Sequence, residues 1–262
     1  MSTPGRIYEY KDLTESQSLS AEVCIIGSGC GGATVAKKLA EQGHDVMVLE
    51  RGGYYPEHTF DQDELNMNAK ISADRSLRTS VDGGTVLLSG NNVGGASVHY
   101  WADSYRTPQD RLELWAQRYG VVAHGMDDLT PAWNELTQTH NVHPAGEEFH
   151  NRMNQLLREG ARKLGWDGQP VPQARKNCVK SGHCMQGCLY RAKLSQLVTH
   201  IPQALALGAR VYADVEAQQL LMENGKVTGL TARVVDRPSN KPSNVTLSVK
   251  AKCFVVAAGG YN

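Results

Sequence analysis

The sequence lacks any long apolar run and any excess of charge of one sign. Its apolar stretches fall far short of the roughly 18 residues that a membrane-spanning helix needs. Lysine and arginine together number 27, and so do aspartate and glutamate, so the formal net charge is zero. These absences argue against a transmembrane segment, a large nucleic-acid footprint and an anionic membrane surface as a partner.

Sorting signals and several catalytic motifs are missing as well. The first 20 residues are polar, with neither an apolar signal core nor a twin arginine. We therefore expect a cytoplasmic protein without an export signal of its own, although export with a partner subunit stays open. A cytosolic setting argues against disulfides among the six cysteines. No phosphate P-loop, HExxH zinc motif or acyl-transfer triad is visible.

What the sequence does contain is a strand–turn–helix–strand pattern between residues 22 and 53. The apolar run at 23–26 reads as a buried parallel strand, and it leads into a glycine-rich turn. Residues 33–42 carry apolar side chains at helical spacing, and a second apolar run at 46–49 ends on an acid. This pattern predicts an α/β fold.

Each glycine of the turn has a physical task. Gly27 allows the tight turn, Gly29 lets the backbone approach a pyrophosphate, and Gly32 lets the helix pack closely on the strand. The helix N-terminus then offers N–H groups and a partial positive charge to phosphates. Glu50 can accept hydrogen bonds from ribose hydroxyls. The stretch predicts a dinucleotide site, and the alternative is an ordinary βαβ unit whose glycines serve packing alone.

A second glycine-rich stretch follows at 81–101. Residues 85–88 read as a strand, and Gly94 and Gly95 mark a loop with unusual backbone dihedrals. Ser97, His99 and Trp101 alternate with Val98 and Tyr100, and this alternation predicts an extended segment. Two such loops in one α/β domain indicate a large ligand that is held at two places.

The remainder divides into a helical part and a strand-rich part. We predict helices at 110–119, 127–136 and 147–164, with a further helical stretch at 193–207 that Pro202 kinks or ends. A short strand at 210–214 precedes a β-meander over 216–250, whose hairpin turn is Asn224-Gly225. Residues 252–260 read as a buried strand that ends in glycines. A shorter helical turn is expected at 67–73.

Three cysteines lie close together in the sequence. Cys178, Cys184 and Cys188 have C-x5-C-x3-C spacing on a glycine-containing loop. Thiolates on such a loop can wrap one face of a soft-metal centre, and three without a fourth fit a [3Fe–4S] cluster. His183 as a fourth ligand makes zinc an alternative, and a loop of three thiols with no metal is another.

Taken together, these motifs resemble the flavoprotein half of the glucose–methanol–choline (GMC) oxidoreductase family. The fingerprint at 27–32, followed by Ala36, Gly43 and Glu50, resembles FAD-binding rather than NAD-binding proteins. The run VGGAS at 93–97 matches the family's second flavin loop. The resemblance implies an α/β fold: a Rossmann-like FAD-binding domain with a mainly helical insertion and a β-meander. The implied segments are 1–108, 109–200 and 201–262.

The resemblance also implies the residues of a cofactor site. His99 is either a covalent attachment point for the flavin 8α-methyl group or a histidine that packs beside the flavin. Val215 is expected near the adenine, and Gly259 beside the cofactor. The full expected set for FAD is Gly27, Gly29, Gly32, Glu50, Arg51, Gly94, Gly95, Ser97, His99, Val215 and Gly259.

The implied function is oxidation of a CH–OH group of an alcohol, sugar or sterol, with hydride transfer to FAD. The cysteine loop is similar to that of FAD-dependent glucose dehydrogenase catalytic subunits, which pass electrons from a [3Fe–4S] cluster to a cytochrome c. Leu189 departs from that pattern, since proline is usual there. The alternatives are an oxygen-using oxidase with a structural cysteine loop and a flavin-binding or electron-transfer module without catalysis of its own. The nine histidines match no catalytic-base motif, so we expect the base beyond Asn262.

Overall fold

The computed structural model describes residues 3–261, so the first two residues and Asn262, which bound the first and last predicted segments, lie outside the description. The chain divides into two compact units. The sheet unit contains the chain up to Tyr100, the segment His183–Arg191 and the chain from Ser195 onward. The helical unit contains Trp101–Gly182 and Ala192–Leu194.

The secondary structure is numbered here in chain order over the described residues. The strands are β1 (Ile7–Tyr8), β2 (Gln17–Ile26), β3 (Val46–Leu49), β4 (Val142–Pro144), β5 (Pro172–Ala174), β6 (Arg210–Tyr212), β7 (Val215–Glu223), β8 (Lys226–Asp236) and β9 (Lys241–Val256). The helices are α1 (Cys30–Glu41), α2 (Glu64–Ile71), α3 (Gln109–Tyr119), α4 (Met126–Thr139), α5 (Arg152–Lys163) and α6 (His200–Ala206).

The sheet unit is built on a seven-stranded sheet of order β1-β6-β3-β2-β9-β8-β7. From β1 to β9 in this order, each strand pairs parallel with its neighbour. The β9–β8 and β8–β7 pairs are antiparallel. Ile26 at the end of β2 pairs with Leu49 of β3 and with Val256 of β9. The carboxyl ends of three neighbouring strands therefore meet at one edge, where ligands of open α/β sheets bind.

The core of this unit explains why α1 lies so close to the sheet. Every residue of β3 is buried, as expected for a parallel strand covered on both faces. On α1, Gly32, Ala33, Ala36 and Ala40 are buried at helical spacing, and the helix packs on β2, β3 and α6. Small side chains on the buried face allow this close approach.

Several predicted helices are confirmed, with small shifts at their ends. Helices α3 and α4 match the stretches predicted at 110–119 and 127–136, whereas the helix predicted at 147–164 begins only at Arg152, because Glu147–Phe149 forms a separate 3-10 turn. Helix α2 begins three residues before the turn expected at 67–73 and ends two residues before its end, and Asp63 caps its start by accepting a hydrogen bond from the Asn66 N–H. The prediction for Pro202 is wrong: α6 begins at His200, so the proline lies in its first turn and breaks nothing.

Other predictions fail where the backbone is irregular. Residues 85–88 form no strand, and only an isolated bridge joins Thr79 and Val86 there. The segment after Gly94 is not extended but forms a 3-10 turn, Gly95–Val98. Gly94 and Gly95 both have positive φ, at 98° and 58°, and this reverses the chain before any alternation can become a strand.

The strand-rich part has a simpler architecture than predicted. The Asn224-Gly225 turn is confirmed, with φ of 49° and 75°, as a two-residue hairpin requires. The last meander strand and the expected strand at 252–260 are one continuous strand, β9, which pairs with β8 on one edge and β2 on the other. Its end is not buried as predicted, since Val256 is 66% exposed.

The helical unit leaves more of its apolar side chains exposed than the sheet unit does. Its short strands β4 and β5 pair antiparallel, with Val142 opposite Ala174. Helix α5 buries none of its residues, and Met153 and Leu157 on it are largely exposed. Over the described residues, no helix of either unit is long and apolar enough to cross a membrane.

Candidate functional site

The first glycine turn lies at the carboxyl edge of the parallel strands. Gly27 has a φ of 100°, and a Cβ there would lie 2.4 Å from the Ala257 carbonyl oxygen. A Cβ on Gly32 would lie 1.9 Å from the carbonyl oxygen of Gly27. Both positions exclude any side chain, because the obstructing atoms belong to the backbone. These glycines therefore set the turn and the close approach of α1.

The two glycine-rich loops meet at Gly29. This residue caps the N-terminus of α1, and a Cβ built on it would meet nothing closer than the Gly95 Cα, at 3.9 Å. In the opposite direction, a Cβ on Gly95 would lie 2.7 Å from the Gly29 Cα. The loops are thus in backbone contact, beside the N–H groups that open α1. One ligand can therefore touch both loops.

Glu50 is the acid at the centre of this edge. It is buried, and its Oε2 accepts hydrogen bonds from the backbone N–H and the hydroxyl of Ser28, at 2.9 and 2.7 Å. Its Oε1 accepts from the N–H of Gly52 at 2.8 Å. A carboxylate has about four acceptor positions. Three are used within the protein, so one remains for a ligand hydroxyl.

Burial raises the pKa of Glu50 above its ordinary value. The hydrogen bonds from Ser28 and Gly52, and the charge of Arg51, act in the opposite direction and favour the carboxylate. A further donor, such as a ribose hydroxyl, would stabilise the charged form in the same way.

Ser28 is a residue that the sequence reasoning missed. Its hydroxyl donates to Glu50 and accepts from the backbone N–H of Gly94 at 3.0 Å. It therefore joins the first glycine turn, the acid and the second glycine loop. The only sequence signal is a small polar residue inside the turn, and the partner Gly94 is 66 positions away.

The second loop is fixed by hydrogen bonds within it and to neighbouring segments. The Ser97 hydroxyl donates to the Gly94 carbonyl at 2.7 Å and accepts from the backbone N–H of Gln196 at 2.9 Å. His99 follows the 3-10 turn directly and is only 3% exposed. Ser97 thus holds the shape of the loop, and His99 is a buried imidazole within the sheet unit.

The remaining predicted cofactor residues lie around the same edge with different roles. Arg51 is engaged by the protein, donating to Glu216 at 2.7 Å and to Asn91 at 2.9 Å. The N–H of Val215, the first residue of β7, donates to the carbonyl of Glu50 at 2.8 Å and so anchors the backbone of that acid. Gly259, with a φ of 92°, lies just beyond the end of β9.

A partly buried ion cluster supports this edge from the side of β7, and the sequence reasoning missed it too. Asp214 is 1% exposed and accepts two hydrogen bonds from Arg237, at 2.9 and 2.6 Å. Arg237 also pairs with Glu9 at 2.7 Å. Burial by itself would lower the pKa of Arg237, but these two acids raise it. The backbone N–H of Asp214 donates to the Gly52 carbonyl, which links the cluster to the Glu50 segment.

The structure gives no support to the predicted metal centre. Within residues 3–261, no three His, Cys, Asp or Glu side chains form a group that could hold a metal ion. The cysteine loop has other contacts: Gly187 packs so tightly on Phe60 that a Cβ would lie 2.7 Å from its ring, and Arg191 pairs with Glu57 at 2.7 Å. A cluster held by Cys178, Cys184 and Cys188 therefore stays a prediction from the sequence.

Comparison with known proteins decides the family. The model of the GMC oxidoreductase N-terminal region matches residues 21–262. The chain belongs to the GMC oxidoreductase family. This confirms the predicted resemblance, and the family's N-terminal domain implies FAD as the cofactor.

Two curated relatives illustrate the similarity. An uncharacterised GMC-type oxidoreductase of Mycobacterium tuberculosis is 31% identical over 242 residues, which cover 91% of this chain and 37% of the relative. A long-chain-alcohol oxidase of Arabidopsis thaliana is 30% identical over 204 residues, covering 78% of this chain and 27% of the relative. This chain therefore spans well under half the length of these two relatives.

Among solved structures, pyridoxine 4-oxidase from Mesorbium loti has the same fold. The TM-score is 0.66 at 16% sequence identity, and the match covers 91% of this chain and 49% of that one. The mixed α/β fold with a mainly parallel sheet is thereby confirmed.

Proposed function

We propose that this chain binds FAD for an oxidoreductase that acts on CH–OH groups of alcohols. The observation that carries the proposal is the contact between the two glycine loops at the carboxyl edge of the sheet. This geometry suits a long ligand with a pyrophosphate at one loop and an aromatic ring system at the other. FAD, once bound, would supply the acceptor for a hydride from the donor carbon.

The chain's own residues fit this cofactor. Gly29 and the N–H groups that open α1 would bind the pyrophosphate, because the position is free of side-chain bulk. Glu50 would accept a ribose hydroxyl with its remaining acceptor position. Gly94, Gly95 and His99 would lie against the flavin, and Ser28 and Ser97 would hold the two loops in place.

The substrate class rests on the family and on the names of its members. The Arabidopsis relative is a long-chain-alcohol oxidase, and the structural neighbour is a pyridoxine oxidase. We propose an alcohol as donor, with sugars and sterols as narrower classes to be tested. No histidine of the described residues is assigned as the base that would remove the alcohol proton.

The electron acceptor is a separate part of the proposal. A dehydrogenase that passes electrons to a cytochrome c would need an exit path, and the loop of Cys178, Cys184 and Cys188 is the candidate for one. An oxidase that returns electrons to O2 needs no such path. The names of the Arabidopsis relative and of the structural neighbour, both oxidases, favour the oxidase. We therefore place the oxidase first and the cytochrome-linked dehydrogenase second.

Cofactor binding tests the central claim. The full chain is titrated with FAD and, as the matched control, with NAD⁺, and binding is followed by calorimetry and by quenching of flavin fluorescence. We expect FAD to bind with one-to-one stoichiometry and NAD⁺ to bind far more weakly. Replacing Gly29 with valine should abolish binding, because the added side chain would fill the space at the helix N-terminus. Equal binding of both nucleotides, or none of FAD by a folded chain, contradicts the proposal.

The acceptor is tested on the flavin-loaded protein with a panel of primary alcohols. Peroxide formation under air without added dye supports the oxidase. Reduction of a dye or of cytochrome c without peroxide supports the dehydrogenase. Release of all flavin on acid precipitation would rule out a covalent bond at His99, whereas retained flavin that a His99→Ala variant loses would support it.

A further inference from the structure

The helical unit contains a cavity that the flavin site does not use. Its volume is about 440 Å³, and all of its lining residues belong to the helical unit. Phe149, Leu157, Ala161 and Val171 provide an apolar lining, and Arg158 and Arg175 provide two guanidinium groups. Cavities of about 300–1,000 Å³ with few polar groups are typical of small-molecule sites.

Arg175 is unusual for a buried cation. It is 6% exposed, and its Nε and Nη2 have no hydrogen-bond partner among the described residues. The guanidinium lies over the Phe149 ring, with 3.7 Å from its carbon to the ring centroid. A buried charge without a partner is strongly unfavourable, so a group that supplies the missing acceptors would be bound tightly.

The two unpartnered nitrogens also define the shape of that group. Nε and Nη2 form one edge of the planar guanidinium, with two parallel N–H bonds. This edge matches the two oxygens of a carboxylate, which accept such a pair in a bidentate arrangement. The unpartnered atoms of Arg175 therefore call for a planar, two-oxygen anion.

Neighbouring cations are already engaged, which isolates Arg175 further. Arg158 donates to both carboxylate oxygens of Glu147, at 2.6 and 2.8 Å. Lys180 donates to the carbonyl oxygen of Glu148 at 2.6 Å, and its Nζ lies 4.9 Å from the centroid of Phe149. No ion pair of Arg175 with an acid occurs in residues 3–261. The positive charge in this cavity is thus not compensated by the protein.

We propose that this cavity binds a small organic carboxylate with an apolar body. The body packs against Phe149, Leu157 and Val171. The Nε and Nη2 edge of Arg175 is shielded in the unliganded chain, and on binding the guanidinium turns this edge towards the cavity to meet the carboxylate. The proposal stands on the cavity and on the unpartnered buried guanidinium. It does not depend on the flavin chemistry above.

The test uses the full chain and octanoate as the probe, with binding followed by isothermal titration calorimetry. Two further probes separate the parts of the ligand: 1-octanol keeps the apolar body without the charge, and inorganic phosphate keeps a charge without the body. We expect octanoate to bind one-to-one and both others to bind at least about tenfold more weakly, as for the loss of a charge-assisted contact or of an apolar body.

Variants assign the effect to the guanidinium edge. Arg175→Met keeps the length and should weaken octanoate binding by about tenfold or more, and Arg175→Lys should be intermediate, because it keeps the charge and loses the bidentate edge. The matched control is Arg152→Met, on an exposed α5 residue that pairs with Glu159 outside the cavity lining. It should bind octanoate like the unmodified chain.

Thermal unfolding separates ligand binding from a structural role. Without ligand, Arg175→Met should melt at or above the temperature of the unmodified chain, because an unpaired buried charge is removed. Octanoate should raise the melting temperature of the unmodified chain and of Arg152→Met only. Equal octanoate affinity with and without Arg175 overturns the proposal, as does phosphate binding that matches octanoate. A large fall in melting temperature for both Arg175 variants would also overturn it, by showing a structural cation.

Discussion

The buried charged groups at the flavin site of the sheet unit and in the cavity of the helical unit are satisfied in opposite ways. In the sheet unit, Glu50 receives three hydrogen bonds and Asp214 and Glu9 share Arg237. In the helical unit, Arg175 is buried with one edge of its guanidinium unpartnered. A site whose polar groups are already satisfied is preorganised, whereas an unpartnered charge favours a ligand that completes it.

The same contrast appears in the apolar packing. Strand β3 is buried along its whole length, whereas α5 buries no residue and Met153 on it is 76% exposed. Apolar surface that is removed from water contributes about 25 cal/mol per Å² to stability, so the sheet unit gains far more from each residue. We infer that the sheet unit supplies the rigid frame of the flavin site, and the predictions below test that difference.

The largest effect on stability is expected when glycines of positive φ are replaced, one in each unit. Gly27→Val should destabilise the chain by about 4 kcal/mol or more and abolish FAD binding, since its Cβ would overlap the Ala257 carbonyl oxygen as well as adopt an unfavourable φ. Gly120, with a φ of 65°, has no atom within 4 Å of a built Cβ. Gly120→Ala should therefore cost only about 1–2 kcal/mol. Urea unfolding measures both, and similar losses would contradict the comparison.

The second prediction sharpens the contrast in packing. Ile25 on β2 is fully buried, so Ile25→Ala should lower the free energy of unfolding by about 2–5 kcal/mol. Met153→Ala on α5 should change it by less than about 0.5 kcal/mol, because the side chain is already in water. Both changes in the free energy of unfolding are obtained from the shift in the urea midpoint, provided that the slope of the free energy against urea concentration is unchanged. A loss above about 1 kcal/mol for Met153→Ala would mean that its face is covered in solution.

The fingerprint was predictable because its determinants are local. Gly27, Gly29 and Gly32 shape one turn, and the apolar spacing of α1 and β3 can be seen without any distant residue. The link from Ser28 to Gly94 could not be predicted, because it depends on how two separated loops meet. The failure at Ser97 has a different cause: alternation predicts a strand only when the preceding backbone can extend, and Gly94 prevents that.

Whether a charged side chain is buried, and whether it then has a partner, is the feature that is hardest to predict from a sequence. Nothing around Arg175 in the sequence indicates that it is buried over Phe149 or that no acid faces its Nε and Nη2. The three cysteines illustrate a related limit. Their spacing suits a metal, yet spacing along the chain does not fix where thiols point, and no metal-binding group forms in the described part of the chain.

The third prediction concerns the link between the two glycine loops. Ser28→Ala should lower the free energy of unfolding by about 1–3 kcal/mol, because it removes the hydroxyl bond to Glu50 and leaves the Gly94 N–H without its acceptor. FAD affinity should fall with it, since the second loop loses an anchor. The matched control in the helical unit is Ser104→Ala, whose hydroxyl donates only to the nearby Ala102 carbonyl at 3.0 Å. If both variants bind FAD like the unmodified chain, the hydroxyl of Ser28 does not position the loop.

The smallest effects are expected in the pH dependence of stability, where the two units should have opposite signs. Burial raises the pKa of Glu50, so the unliganded fold loses stability as pH rises from the ordinary carboxyl pKa towards the folded value. Arg158 lowers the pKa of Glu147, whose contribution to stability is present above the ordinary pKa and is lost as pH falls below it.

Urea midpoints measured from pH 3 to 8, roughly the carboxyl range, should therefore shift differently in two variants. Glu50→Gln should make stability rise more with pH than in the unmodified chain, and Glu147→Gln should make it rise less, by a smaller amount because that pair is exposed. If Glu50→Gln instead flattens the rise with pH, the hydrogen bonds from Ser28 and Gly52 outweigh burial, and the acid is held as a carboxylate before any ribose hydroxyl arrives.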